Sequence, residues 1–198
     1  MSHEVISYLL KNKNMKKRLQ FQLVLQCAPF LKRLRAVCII NLQSILCAEL
    51  DEILGGTDIC YAILNQDKGR CLVLFYREQA FADYLNRSDI KEFLGGYGYV
   101  SFQIMDVLTY LRKRVELFNR DVQKFPHEMG AILGYPIADV AGFIDFKGQK
   151  FLLSGYWKVY DNLQQASRTF QLYDHAKNCA LNEFVAGKPI EEISHDHI

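Results

Sequence analysis

The longest unbroken apolar run in the chain, Cys-Leu-Val-Leu-Phe-Tyr at residues 71–76, constrains the fold more than any other feature. Successive side chains of a strand point to opposite faces, so a strand that is apolar throughout needs cover on both faces. The run is also far shorter than the about 20 residues that a membrane-spanning helix requires. We therefore expect an α/β fold in which a mixed sheet of about four or five strands is flanked by helices.

Further strands are predicted on either side of this run. Residues 36–40 form a short apolar segment, and residues 59–64 precede a turn at 65–69 that would join them to 71–76 as a hairpin. Apolar side chains at helical spacing predict helices, two of which we expect to end at Pro29 and at Gly55. These helices comprise residues 4–13, 16–28, 43–54, 78–86, 89–94 and 104–118.

Residues 125–160 carry the most detailed pattern. A short helix is predicted after Pro126, with Gly134 as its left-handed end, and a second helix is predicted to open at Pro136. Residues 151–160 alternate as in a strand, which would place Trp157 on one face and Tyr156, Lys158 and Tyr160 on the other. The last long helix is predicted to begin at a capping box formed by Asp161 and Gln164 and to end before Gly187.

Length and composition favour a single folded domain. The chain has 198 residues, of which 50% are hydrophobic, so it can bury an independent core and is not disordered as a whole. We expect one domain over 1–198, with residues 1–15 as a candidate N-terminal extension and 188–198 as a flexible tail.

Charge is unevenly distributed along the chain. Between Lys11 and Arg35 there are eight basic residues and no acidic one, whereas the whole chain has a net charge of only +2. The rest of the protein is therefore mildly acidic, and a protein that is positive over its whole surface is excluded.

The termini and the cysteines predict a cytoplasmic protein. The N-terminus lacks the apolar block of a secretory signal, because lysines and an arginine interrupt it. The six cysteines include no Cys-x-x-Cys pair and mostly lie in apolar runs, so we expect buried thiols rather than disulfides or a metal site.

Known catalytic and cofactor templates are missing from the sequence. It contains no Gly-x-Ser-x-Gly, no phosphate-binding loop ending in Gly-Lys-Ser/Thr and no Gly-x-Gly-x-x-Gly after a strand. The sequence therefore assigns neither a cofactor nor an enzymatic reaction, and it leaves the oligomeric state open.

A string of motifs in the same region resembles a known family. Its parts are Phe-Pro-His-Glu-Met-Gly at 125–130, Leu-Gly-Tyr-Pro at 133–136, Asp-Val at 139–140, Gly-Phe-Ile at 142–144 and Gly-Tyr-Trp-Lys-Val-Tyr at 155–160. This string is similar to the signature of an uncharacterised family, found mainly in anaerobic Gram-positive bacteria and known only as a domain of unknown function. The likeness extends more loosely over most of residues 20–186. The resemblance implies a bacterial protein and brings no established activity.

One stretch departs from that family. After Ala28-Pro29 the family usually continues with small and polar residues, whereas this chain has Phe-Leu-Lys-Arg-Leu-Arg at 30–35. If this stretch lines a site in the family, the site is altered in this chain.

His127 and Glu128 are the candidate catalytic residues. Near a helix N-terminus the imidazole of His127 is expected to be neutral and able to act as a base or ligand, and the small Gly130 and Ala131 leave room beside it. The alternative is a structural histidine beside a capping glutamate, since the second histidine of a zinc-binding helix is missing.

Other candidate ligand-binding residues are aromatic or basic. Tyr156 and Tyr160 would place two phenols around the ammonium group of Lys158, which is a surface suited to an anion or an aromatic ligand. An edge strand with a polar outer face explains the same pattern. Arg77 follows a buried strand, and ligands often bind at the ends of such strands, so Arg77 is a candidate to contact an anionic group. The alternative is that Arg77 is an ordinary residue at the start of a helix. The complete set is His127, Gly130, Tyr135, Tyr156, Trp157, Lys158, Tyr160 and Arg77.

Three functions follow from these observations. The leading hypothesis is a protein that binds a small molecule or cofactor in a pocket near His127 and the 155–160 strand. The first alternative is an enzyme that uses His127 or Glu128 for proton transfer. The second is binding of a nucleic acid, an acidic protein or a membrane surface through the basic segment 11–35, in particular Lys16, Lys17, Arg18, Lys32, Arg33 and Arg35.

Overall fold

A computed structural model describes residues 12–195 and divides the chain into two compact units. Unit 1 comprises the residues up to Phe75 and those from Tyr173 onward, and unit 2 is Tyr76–Leu172. The described residues form ten helices and five strands, which confirms the mixed α/β class. The five strands form two small sheets instead of the one sheet that we expected. The single domain stays a prediction.

Unit 1 is built around a three-stranded sheet with the order β1-β3-β2. The central strand β3 contains the apolar run. Two adjacent residues of this run, Val73 and Leu74, are both fully buried although their side chains point to opposite faces of the sheet. The predicted cover on both faces of this strand is therefore present. The elements of unit 1 up to β3 are α1 (Met15–Leu31), β1 (Val37–Gln43), α2 (Ser44–Cys47), α3 (Leu50–Leu54), β2 (Cys60–Asp67) and β3 (Arg70–Tyr76).

Local sequence explains the ends of these elements. Lys68 and Gly69, with φ of 46° and 73°, form the two-residue turn between β2 and β3, because such hairpins need two residues with positive φ. Asn14 caps α1, its side-chain oxygen accepting from the backbone N–H of Lys17 at 3.1 Å. The prediction that Pro29 ends this helix is wrong, since the helix continues to Leu31. Pro29, Phe30 and Leu31 are all buried, and their packing offsets the hydrogen bond that proline cannot donate.

Two other helix predictions in unit 1 differ from the structure. In place of the single helix predicted at 43–54, the structure has Gln43 at the end of β1 and two short helices, α2 and α3. The helix predicted at 4–13 lies outside the described residues, apart from its last two positions, which are not helical.

Unit 2 consists mainly of helices and a small hairpin. The helices predicted at 78–86, 89–94 and 104–118 are present, and so are the two short helices on either side of Gly134. The elements are α4 (Glu78–Leu85), α5 (Ser88–Gly95), α6 (Ile104–Asn119), α7 (Met129–Ile132), α8 (Ile137–Asp145), β4 (Leu153–Ser154) and β5 (Lys158–Val159).

The prediction of one strand over 151–160 is wrong. The chain reverses at Gly155, so that β4 and β5 pair antiparallel with Ser154 opposite Lys158. A Cβ on Gly155 would lie 2.3 Å from Cε2 of Phe170, and this close approach requires glycine at the reversal. The predicted division of residues 151–160 into two faces of one strand therefore does not hold.

The C-terminal part of the chain is helical. Helix α9 (Leu163–Val185) contributes residues to both units, and its cap is Asn162 instead of the expected Asp161, because the Asn162 side chain accepts from the N–H of Gln165 at 3.0 Å. Residues 190–195, which we expected in a flexible tail, form helix α10 (Ile190–His195), whose Ile190 and Ile193 are buried in the unit 1 core. None of the helices within 12–195 has both the length and the apolar character needed to cross a membrane.

Candidate functional site

A cavity of about 420 Å³ lies in unit 2, between α7, α8 and the β4–β5 hairpin. Its size falls within the range of about 300–1,000 Å³ that is typical of small-molecule sites. All of its lining residues come from positions 125–158, the region that carries the family motifs. Five of the predicted ligand-binding residues line it: His127, Gly130, Tyr135, Trp157 and Lys158.

The corner at Gly134 lies between two residues that line the cavity, Leu133 and Tyr135. Gly134 has a φ of +80°, as predicted for a left-handed helix end, and the N–H of Tyr135 then donates back to the carbonyl of Gly130 at 3.0 Å. A Cβ on Gly130 would lie 3.0 Å from Cγ2 of Val140, so glycine lets α7 and α8 pack closely. The space that we expected Gly130 to leave beside His127 is thus partly filled by Val140 and Tyr135.

Trp157 forms a rigid wall of the cavity. Its indole N–H donates to Oδ2 of Asp139 at 2.7 Å. Its rings stack on Tyr135 with centroids 5.4 Å apart and meet Phe170 edge-on at 4.6 Å. With contacts on three sides, the indole is held in one orientation before any ligand arrives.

Asp139 is a buried residue that the sequence reasoning did not select for the site. Its side chain is only 3% exposed, and its other oxygen, Oδ1, accepts from the backbone N–H groups of Tyr160 at 2.7 Å and Asp161 at 3.0 Å. Three N–H groups therefore satisfy this carboxylate and fix the chain after β5 to the first turn of α8. Its position two residues after the start of a helix that opens with proline was the signal that could have found it.

His127 lies in the cavity wall between two aromatic rings. Its ring centroid is 5.2 Å from that of Phe125 and 5.4 Å from that of Phe143. Within residues 12–195 the imidazole makes no hydrogen bond, and it is only half-buried. Both ring nitrogens are therefore available to a ligand. Phe125 and Phe143 were parts of the motif string but were not predicted as lining residues.

Glu128 does not line the cavity. It is fully buried, and its two oxygens accept from Nε and Nη2 of Arg114 at 2.6 and 3.0 Å. This hydrogen bond raises the pKa of Arg114, and burial together with the charge of Glu128 raises the pKa of Tyr99. Glu128 and Arg114 thus form a bidentate ion pair within unit 2.

Lys158 brings a positive charge to the cavity. Its ammonium group donates to the carbonyl of Gly148 at 2.5 Å and lies 4.8 Å from the ring centroid of Phe151 and 5.8 Å from that of Phe143. The part of the chain that the structure describes gives Lys158 no carboxylate partner. The cation is held in place by a carbonyl and two rings.

The other predicted residues lie outside the cavity lining. Tyr156 packs on Phe170, with ring centroids 5.6 Å apart, and Tyr160 stacks on Phe146 at 5.8 Å. Burial, followed by the charge of Asp139, raises the pKa of Tyr160. Arg77 is buried at the start of α4.

The basic segment belongs to unit 1, and several of its charges are neutralised there. Lys32 is only 2% exposed and lies 2.6 Å from a carboxylate oxygen of Glu183. Lys16 also forms an ion pair with Glu52, and Arg33 forms one with Asp58. The divergent stretch 30–35 contributes Phe30 and Leu31 to the unit 1 core and no residue to the cavity lining.

Comparison with protein families places most of the chain in one family. The model of a family described as "Protein of unknown function (DUF3793)" matches residues 23–194. Comparison with curated proteins and with solved structures gives no match. The matched segment covers most of the chain and includes every residue that lines the cavity. The chain therefore belongs to the DUF3793 family of proteins of unknown function.

Proposed function

We propose that the protein binds a small, largely apolar molecule in the cavity beside His127 and Trp157. The observation that carries this proposal is the half-buried imidazole of His127, which has no hydrogen-bond partner in the described chain and lies in an aromatic-walled cavity of about 420 Å³. Ligand sites typically combine mostly apolar walls with a few polar groups that fix orientation.

Preorganisation supports the same proposal. Trp157 is fixed by Asp139, Tyr135 and Phe170, so a ligand that lies against the indole does not have to order it. Side-chain ordering on binding costs about 0.5–1.5 kcal/mol for each side chain, and a wall that is already ordered avoids this cost.

The two alternative functions have less support. Glu128 is engaged by Arg114, so proton transfer in an enzyme would depend on His127 alone. Three residues of the basic segment are paired with carboxylates, which leaves fewer charges for a nucleic acid. We therefore rank ligand binding above both.

A thermal-shift screen of ring-containing small molecules tests the proposal. Ser154 lines the cavity, is exposed, and lies opposite Lys158 in the hairpin, so Ser154→Phe would place a ring in the cavity without overpacking the core. We expect ligands that raise the melting temperature of the unmodified chain and leave that of Ser154→Phe unchanged.

The matched control is Ser88→Phe, which changes an exposed serine at the start of α5 outside the cavity lining and should respond like the unmodified chain. Equal shifts in both variants, or no shift with any compound, would contradict ligand binding in this cavity.

A further inference from the structure

The charges around the cavity are arranged along α8. Asp139 lies in the first turn of this helix, and the carbonyl of Gly148, which holds the Lys158 ammonium, lies just beyond its end. An α-helix rises about 1.5 Å per residue, so the negative and positive groups lie at opposite ends of the cavity wall. A ligand with one charged group would therefore be bound in one direction.

Lys158 differs from two other buried or half-buried cations, Lys32 and Arg114. Lys32 is paired with Glu183, and Arg114 is paired with Glu128. Lys158 makes no ion pair with any residue between 12 and 195, and among the described residues that line the cavity it is the only lysine or arginine. A cation in such a half-buried place is screened less than one in bulk water and attracts an anionic group.

Asp139 does not need a charged group of the ligand as a partner. Its two oxygens already accept from three N–H groups, so it does not require a cationic group on the ligand. Its negative charge lies at the Trp157 end and disfavours a ligand anion there.

The rings define the rest of the ligand. Phe143 lies beside His127, and its ring is also the one that the Lys158 ammonium approaches at 5.8 Å. Trp157 and Tyr135 form a stacked pair in the same cavity. Rings of this kind favour a flat aromatic partner, which stacks or packs edge-on against them.

We infer that the cavity takes a molecule with flat aromatic rings and one acidic group, a carboxylate or sulfonate, that is bound by the ammonium of Lys158. This inference rests on the proposed function and adds the ligand class. The acceptor oxygens of the acid complete the donor set of Lys158, and the ring system lies between Phe143 and Trp157.

A pair of fluorescent probes tests the inference. 8-Anilinonaphthalene-1-sulfonate and N-phenyl-1-naphthylamine share their rings, and only the first carries an acidic group. We expect Lys158→Met to weaken binding of the sulfonate about tenfold, the equivalent of one charge-assisted hydrogen bond, and to change binding of the amine less than about twofold. Lys158→Arg should retain the sulfonate.

Lys91→Met is the matched control. Lys91 is also half-buried, with its ammonium 5.7 Å from the ring centroid of Phe102, but it does not line the cavity, so both probes should bind this variant as they bind the unmodified chain. A second measurement needs no variant: added salt should weaken binding of the sulfonate to the unmodified chain and leave binding of the amine unchanged.

The possible failures are distinguishable. If both probes bind and Lys158→Met affects them equally or not at all, or if salt affects them equally, the inference about the acidic group is overturned while ligand binding stands. If neither probe binds the folded, unmodified chain, both the ligand class and the proposed function are overturned.

Discussion

Glu128 shows how the residues of the motif string divide between binding and stability. His127 precedes it in the chain and lies in the cavity wall, whereas the Glu128 carboxylate is fully buried against Arg114. A buried charge is tolerated only when it is paired and hydrogen-bonded, and Arg114 supplies both requirements with two N–H groups. The role of Glu128 in this structure is to hold α6 to the segment that begins α7.

Substitution of Glu128 is therefore expected to affect stability. Glu128→Gln removes the charge that compensates Arg114 and should lower the free energy of unfolding by about 2–3 kcal/mol. The control is Glu116→Gln, which breaks the exposed i, i+4 pair with Arg120 and should cost less than about 0.5 kcal/mol. Urea denaturation of the two variants measures both values, and equal losses would contradict a structural role for the Glu128 pair.

Cys47 provides a second test at the residue scale. Burial, followed by a hydrogen bond with Cys71, raises the pKa of its thiol to about 12. Because the thiolate is the reactive form, the rate of alkylation by iodoacetamide should still increase about tenfold per pH unit at about pH 10, where a free cysteine with a pKa near 8.5 has levelled off. Peptide mass spectrometry of the labelled chain measures this rate. A plateau of the Cys47 rate below about pH 10 would contradict the raised pKa of this thiol.

At the scale of elements, the sequence predicted most helices and the β2–β3 hairpin because their signals are local. The turn at Lys68-Gly69 and the corner at Gly134 depend on residues that are adjacent in the chain. The β4–β5 hairpin was missed because its cause is distant: Gly155 turns against Phe170, and no local pattern reports that contact. Residues 151–160 alternate as a single strand would, and packing overrides this pattern.

Gly155 is the residue on which this hairpin depends. Gly155→Ala places a Cβ against the Phe170 ring, which Trp157 and Tyr156 confine, and we expect a loss of about 1–3 kcal/mol in the free energy of unfolding. The double variant with Gly155→Ala and Phe170→Leu should lose less free energy of unfolding than the sum of the losses in the two single variants.

Thermal or urea unfolding measures this coupling. The control is Gly95→Ala at the end of α5, where an added Cβ meets no atom within 4 Å and a small stabilisation of at most about 1 kcal/mol is expected. If Gly155→Ala and Gly95→Ala have the same effect, the close approach to Phe170 is not what fixes the hairpin.

In the whole molecule, the basic segment and the cavity belong to different units. The basic segment lies in unit 1, where carboxylates pair with several of its charges, and the cavity lies in unit 2. The motif string could locate the cavity because its residues meet across α7, α8 and the hairpin. It could not identify Asp139 as the anchor of Trp157, because that bond joins residues 18 positions apart across a turn that was predicted as a strand.

Trp157 lines the cavity and provides an intrinsic fluorescence signal for ligand binding there. It is the only tryptophan of the chain, so tryptophan emission reports on this cavity alone. On titration of the full chain with N-phenyl-1-naphthylamine, we predict a saturable loss of Trp157 emission, a parallel rise in probe emission at one probe per chain, and the absence of both changes in Ser154→Phe. A rise in probe emission without a change at Trp157, or no binding by the folded chain, would contradict ligand binding in this cavity.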